Sequence, residues 1–393
     1  MSEAHVTRLS GRTWAWIALP LLLIVAVAAA FVALDPLGSF TSSTPPIEEL
    51  TIERTVLDED GIGVRLRAGG SEPMTIVQVQ VDGAYWTFSQ DPGGALGRTD
   101  AAWVRIPYPW VVGEAHHLAF ITETGALFEH TIDVAVATPD ASAGRLQFFT
   151  LIGLFVGVVP IVLGMLFYPA LKAGGPPAFE FALALTVGLL AFLLIDTLAE
   201  GFEFAEESAA QFQGAALVWL SAALTFAALM VIGRRRGGTL GGPALAASIA
   251  LGIGLHNLGE GLAIGAAFTT GAAALGSFLV IGFTLHNITE GIGIASPMAA
   301  ERPRLWVFAA LAALAGLPAV FGIWLGSYAF SAHWAALAMG IGAGAILQVI
   351  IEVGAYLARE AGKQGRPWLS PLTFAGVTFG VAVMYATAFL IEV

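Results

Sequence analysis

The chain has 393 residues, 57% of them hydrophobic and 12% charged, with a formal net charge of −12 and a mean hydropathy of +0.79. That much apolar surface excludes a soluble globule, and the acidic balance leaves no basic surface for nucleic acid. There is no cysteine, so disulfides, thiolate metal sites and cysteine nucleophiles are excluded as well.

Residues 1–13 carry Arg8 and Arg12 and precede an apolar run from Trp14 to Leu34. The run is long enough to span, so residues 1–34 read as a cytoplasmic N-terminus with a retained anchor helix, the alternative being a signal cleaved near the Ala-rich stretch at 26–30. Residues 35–46, rich in Gly, Ser, Thr and Pro, form a linker. From 47 to 138 the character changes. Segments 75–81, 103–106, 117–121 and 131–136 alternate or are β-branched. Turn signals separate them at Asp60-Gly61, Gly69-Gly70, Asp82-Gly83, Pro92-Gly93-Gly94 and Thr124-Gly125. The pattern predicts a small antiparallel β-sandwich whose partner the sequence does not reveal. His116 and His117 are strand neighbours facing opposite sides, so they do not form a chelating pair.

Eight further apolar spans follow at 146–168, 178–200, 214–233, 244–268, 274–297, 305–327, 333–357 and 371–391. Their connections sort by charge. Lys172, Arg234-Arg235-Arg236, Arg302 with Arg304, and Arg359, Lys363 and Arg366 fall on one side. Glu203, Glu206 and Glu207, the 269–271 turn and the 327–331 turn fall on the other, with no Lys or Arg. By the positive-inside rule, residues 35–145 and the C-terminus lie outside the cell membrane and the N-terminus lies in the cytoplasm. The expected fold is an all-α polytopic membrane protein. It has an eight-helix core over residues 139–393, one anchor helix, and a small all-β extracytoplasmic domain over residues 47–138.

Two spans carry matching motifs. Leu255-His256-Asn257-Leu258-Gly259-Glu260-Gly261 and Leu285-His286-Asn287-Ile288-Thr289-Glu290-Gly291 both read L-H-N-x-x-E-G. Asn257 and Asn287 are the only asparagines in the chain. Ionisable groups at the centre of a membrane helix cost about 2.5–3.5 kcal/mol each on insertion scales, so they are rare and usually functional. Positions i and i+4 stack on one helical face about 6 Å apart, so His256 points with Glu260 and His286 with Glu290. Imidazole nitrogen with carboxylate oxygen suits zinc or a related transition ion better than magnesium or calcium. The glycine after each Glu lets helices approach closely. Asn257 and Asn287 read as weaker oxygen ligands or as groups that orient the ligands; the structural alternative is a pair of polar clamps between helices.

H-N-x-x-E-G on the fourth core helix, with a similar motif on the fifth, resembles the signature of the ZIP (zinc/iron-regulated transporter-like) family over residues 146–393. Two positions depart from that pattern. The family's usual proline at the fourth motif position is replaced by Gly259 and Thr289, and its Glu-Pro on the sixth core helix is replaced by Leu317-Pro318. The resemblance implies inward movement of a divalent metal and a homodimer.

Other polar groups lie along the spans. Asp196 and Glu200 form an i, i+4 pair that reads as an entrance, with Glu203, Glu206 and Glu207 as an acidic funnel. Gln348 and Glu352 form another pair on the seventh core helix and read as an exit. Gly340, Gly342 and Gly344 on that helix read as close packing rather than a nucleotide loop. Trp14, Trp16, Trp219, Trp306, Trp324, Trp334 and Trp368 near span ends, with His333 and Glu392, read as interfacial residues.

The sequence therefore predicts a transporter in the lipid bilayer whose substrate is zinc or another divalent transition metal, with no organic cofactor. An enzyme is not expected. An intramembrane zinc hydrolase needs three firm ligands and an open position, and here only two histidines, His256 and His286, lie away from the span ends. A metal sensor or receptor with the β-domain as output is the remaining alternative.

Overall fold

The computed structural model describes residues 11–34, 46–138, 142–235, 242–269, 273–299 and 301–389. Residues 1–10 with Arg8, linker residues 35–45, Arg236, Thr270-Gly271 and Glu392 lie outside them. The chain forms two compact units, residues 1–47 and 48–393. The first contains one helix, α1 (Gly11–Leu34), with Pro20 inside it.

The second unit begins with two four-stranded antiparallel sheets. One has the order β1 (Glu48–Asp58), β2 (Gly61–Gly70), β6 (Ala101–Ile106), β5 (Ser89–Asp91). The other has the order β4 (Ala84–Trp86), β3 (Ile76–Val81), β7 (His116–Thr122), β8 (Leu127–Ile132). Inward positions close the core: Val64, Leu66, Val79, Val81, Val104 and Phe120 are fully buried. The expected turns fall between strands, and Gly61, Gly70, Gly83, Gly94 and Gly125 all have positive φ, which glycine reaches without steric cost. The strand expected at 131–136 instead runs Leu127–Ile132. Its ladder ends where β7 begins, with His116 opposite Ile132, so later residues have nothing to pair with. His116 is buried and His117 exposed, the opposite-face arrangement that a strand imposes.

Eight helical stretches long and apolar enough to cross a membrane follow among the described residues. The first combines α2 (Ala143–Gly153), a π-helical turn (Leu154–Val158), α3 (Val159–Met165) and α4 (Tyr168–Ala173). The others are α5 (Gly175–Glu207), α6 (Gly214–Arg235), α7 (Gly242–Thr269), α8 (Ala273–Ala295), α9 (Leu305–Ala329), α10 (Ala332–Lys363) and α11 (Pro371–Phe389). Glu203, Glu206 and Glu207, expected in a connection, belong to α5. Nothing breaks that helix before Ser208, whose backbone is extended at ψ 147. Trp219, Trp306, Trp334 and Trp368 are exposed, as interfacial residues should be. Trp324 instead packs against Phe321 with its indole N–H buried.

Glycine contacts divide the bundle into two groups. A side-chain carbon at Gly164 would overlap the carbonyl oxygen of Ile288, one at Gly261 that of Ala319, and one at Gly157 that of Gly316. These backbone-to-backbone seams tie the first span, α7, α8 and α9 together. In the same way Gly188 meets the carbonyl of Val377 and Gly344 that of Ala222, joining α5, α6, α10 and α11. Between the groups Gly342 meets the backbone of His256, while three other glycines meet side chains first. Gly259 faces Met339 Sδ, Gly252 faces Val349 Cγ2 and Gly293 faces the Thr186 side chain. Backbone against backbone is rigid, whereas methyls and a thioether re-pack readily.

Candidate metal centre

The two motifs lie on α7 and α8, which are separated by three residues and therefore run antiparallel. His256 stands thirteen residues before the end of α7 at Thr269, and His286 thirteen after the start of α8 at Ala273, so the imidazoles share one level. Both point inward: His256 is 2% exposed and His286 4%. The Nε2 of His256 lies 2.9 Å, and that of His286 2.6 Å, from the same oxygen, Oε1 of Glu260. His256, Glu260 and His286 each offer one ligand atom, all within 4.8 Å of one another, and form the one such group among the described residues.

Glu290 lies outside this cluster for a geometric reason. In antiparallel helices the i+4 step runs in opposite directions. Glu260 therefore sits about 6 Å above the histidine level, toward the α7–α8 turn, and Glu290 about 6 Å below it. Both carboxylate oxygens of Glu290 are buried with no hydrogen-bond partner, as is Oε2 of Glu260.

The asparagines do what the structural alternative expected. Asn287 Nδ2 donates to Val156 O at 3.0 Å, and Asn257 Nδ2 donates to Ala315 O at 3.1 Å. The first acceptor has a plain origin. Pro160 has no N–H, so the carbonyl four residues earlier, Val156, loses its helical partner, and Asn287 supplies one. Pro318 inside α9 likewise disturbs the carbonyls of the preceding turn, where Ala315 lies. With their amide nitrogens so committed, Asn257 and Asn287 each leave Oδ1 buried and unpaired. Together with the glutamate atoms this makes five buried acceptor oxygens without a donor, all within the two motifs. Such groups are costly unless a cation or protons satisfy them.

Thr197 on α5 was not anticipated. Its hydroxyl donates to Leu193 O at 2.7 Å and lies 2.9 Å from His256 Nδ1. The hydroxyl has one hydrogen, already used, so His256 Nδ1–H is the donor in the second bond. A neutral His256 then carries its lone pair on Nε2, the atom facing Glu260. A buried threonine next to Asp196 and one turn before Glu200 was the available signal.

The remaining sequence-predicted residues lie at different depths along α5 and α10. Glu200 lies three residues beyond Thr197, about 4.5 Å toward the β-domain along α5. Gly342 of α10 packs on His256 Cα. Gln348 and Glu352 therefore lie about 9 and 15 Å in the opposite direction. Gln348 Nε2 donates to Glu352 Oε1 at 3.3 Å, and Ser248 Oγ donates to Gln348 Oε1 at 3.4 Å. Beyond them a cavity of 460 Å³ opens among α4, α5, α10 and α11, lined by Glu180, Tyr356, Glu360, Arg366 and Trp368.

No family model matches the chain, and no curated protein matches it. The eight membrane-length helices and the buried His-Glu-His group are compatible with a membrane protein that handles a metal ion.

Proposed function

We propose that the protein moves divalent transition-metal cations, zinc foremost, across the cell membrane. One observation carries this reading: a single carboxylate oxygen, Oε1 of Glu260, gathers two imidazole nitrogens at 2.9 and 2.6 Å in the interior of an eight-span bundle. These atoms can be held together by protons on the imidazoles or by a cation shared among them, and a divalent ion would take the place of those protons. Two nitrogens and one carboxylate oxygen are a donor set that zinc accepts and calcium or magnesium does not favour. The likeness of the two H-N-x-x-E-G motifs to the ZIP signature supports the same substrate.

The position of the cluster favours passage over storage. His256 contacts Thr197 on α5 and Gly342 on α10, so the site lies where the two helix groups meet. Movement along that seam would expose the site first to one end and then to the other. Glu200 on one side, and Glu290, Gln348 and Glu352 on the other, provide oxygen atoms above and below the site, with Asp196 close to the level of Thr197. The positive-inside rule supports a cytoplasmic position for the basic end away from the β-domain, and the ZIP-like motifs support inward movement, in which cations would enter past Glu200 and leave past Glu352.

The test is uptake into proteoliposomes across zinc, iron, manganese and cadmium. Wild type should accumulate at least one of these ions, and His256→Ala and Glu260→Gln should not. Equal uptake by wild type and both variants would end the proposal.

A further inference from the structure

The β-domain grips both helix groups at once, and does so with two adjacent strands. On β1, Arg54 Nη1 donates to Tyr328 O at 3.0 Å. Tyr328 is in the last turn of α9, where carbonyls lack helical donors and a cation suits the helix dipole. That contact belongs to the first group. On β2, Ala68 O accepts from Gln211 Nε2 at 3.2 Å, and the Arg67 guanidinium lies 5.3 Å over the Phe212 ring. Gln211 and Phe212 form the 3₁₀ turn between α5 and α6. Phe212 in turn stacks on His333, in the first turn of α10, with ring centres 4.1 Å apart. Those contacts belong to the second group.

The strands between the two grips have little freedom. They pair along their length, with a bulge between Ile52 and Arg54 that leaves Glu53 as the extra residue. Glu53 holds both Arg65 and Arg67, which fixes the guanidinium over Phe212. A stiff sheet attached to each of two bodies resists their separation at that end.

We propose that the β-domain is a strap that keeps the two helix groups together at its end of the bundle and thereby limits opening toward that side. The inference rests on the transport reading for its consequence, though not for its geometry. Separation at this end requires one grip to release, either Arg54 from Tyr328 or Arg67 and Ala68 from the 3₁₀ turn. Releasing one grip therefore has the same effect as releasing both.

The full chain, which has no native cysteine, is labelled with spin probes at Leu220→Cys and Leu325→Cys. These are exposed positions on α6 and α9, one in each group. Arg54→Gln and Arg67→Gln should each lengthen and broaden the distance distribution in lipid. The population of the separated form should rise about 3- to 10-fold, the worth of one charged hydrogen bond at a partly exposed site. The double variant should add nothing, and Arg54→Lys, which keeps a donor, should restore the wild-type distribution. Metal uptake is measured in parallel and should change with the separated population. Unchanged distances, or effects that add in the double variant, overturn the strap. A distance shift with unchanged uptake overturns its control of transport. Absence of uptake in wild type sinks the transport reading, while the distances still judge the strap.

Discussion

The hydroxyl of Thr197 stands 2.9 Å from Nδ1 of His256 and gives its only hydrogen to Leu193 O. This pair fixes which imidazole nitrogen is free to bind. Thr197→Val keeps the shape and removes the acceptor, so zinc affinity should fall about 10- to 100-fold, as for other lost outer partners of metal-binding histidines. Thr197→Ser should stay near wild type. Isothermal titration with zinc checks both, and equal affinity in the valine variant would show that the contact orients nothing.

Glu260 and Glu290 occupy equivalent motif positions but differ in place. Glu260 alone serves both histidines, so Glu260→Gln should weaken zinc binding by more than about 100-fold, beyond the usual effect of an outer partner. Glu290→Gln should leave equilibrium binding closer to wild type and slow uptake instead. The comparison needs titration and initial rates on the same preparations. Equal losses of affinity would place both carboxylates on one ion.

Asn287 acts as a clamp on Val156 O because Pro160 cannot. Asn287→Leu should cost about 1 kcal/mol of stability, the scale of a hydrogen bond between membrane helices. In a Pro160→Ala background the helix regains its own N–H for that carbonyl, so the same substitution should cost less. A double-mutant cycle on thermal unfolding in lipid nanodiscs measures the difference. Strict additivity would sever the link.

Acid should weaken the β-domain in two stages. Burial, against the charge of Asp133, holds His130 below the usual histidine range. The stability it contributes is fully present above about pH 6.5, the unfolded value, and is lost as pH falls from there through its lower value in the fold. Burial alone would raise Asp82, but the His117 N–H and the bonds with His116 and Tyr108 outweigh it, so its carboxyl lies below the usual range. Its contribution is present above about pH 4 and lost as pH falls below that. His130→Gln should flatten the upper stage of a melting-temperature profile. Asp82→Asn should flatten the lower stage without backbone strain, since asparagine tolerates the φ of 52 at this position. Profiles identical to wild type would count against these roles.

The helical bundle was legible because apolar length and loop charge are local properties. The β turns were legible because glycine marks positive φ. His256, Glu260 and His286 could be paired from sequence because two equal motifs flank one turn. Glu290 could not be placed by spacing alone, since helical periodicity shows which face a residue shares but not that antiparallel neighbours send their i+4 partners apart. Thr197 and Val156 were missed because each matters through a partner distant in sequence, 59 and 131 residues away respectively. Pro160 still pointed to a freed carbonyl that some donor would have to satisfy. The division into two groups depends on which atom each glycine meets, and no reading of one chain's spacing supplies that.

The chain crosses from the first helix group to the second twice among the described residues, at Gly174 between α4 and α5 and at Phe330 and Ser331 between α9 and α10. The first crossing lies beside the 460 Å³ cavity and the second beside the β-domain. Two residues reach at most about 7 Å, so each end of the bundle carries one short covalent tie between the groups. Where a tie lies, the groups stay within that reach of each other, and relative motion is left to rotation about the line that joins the two ties.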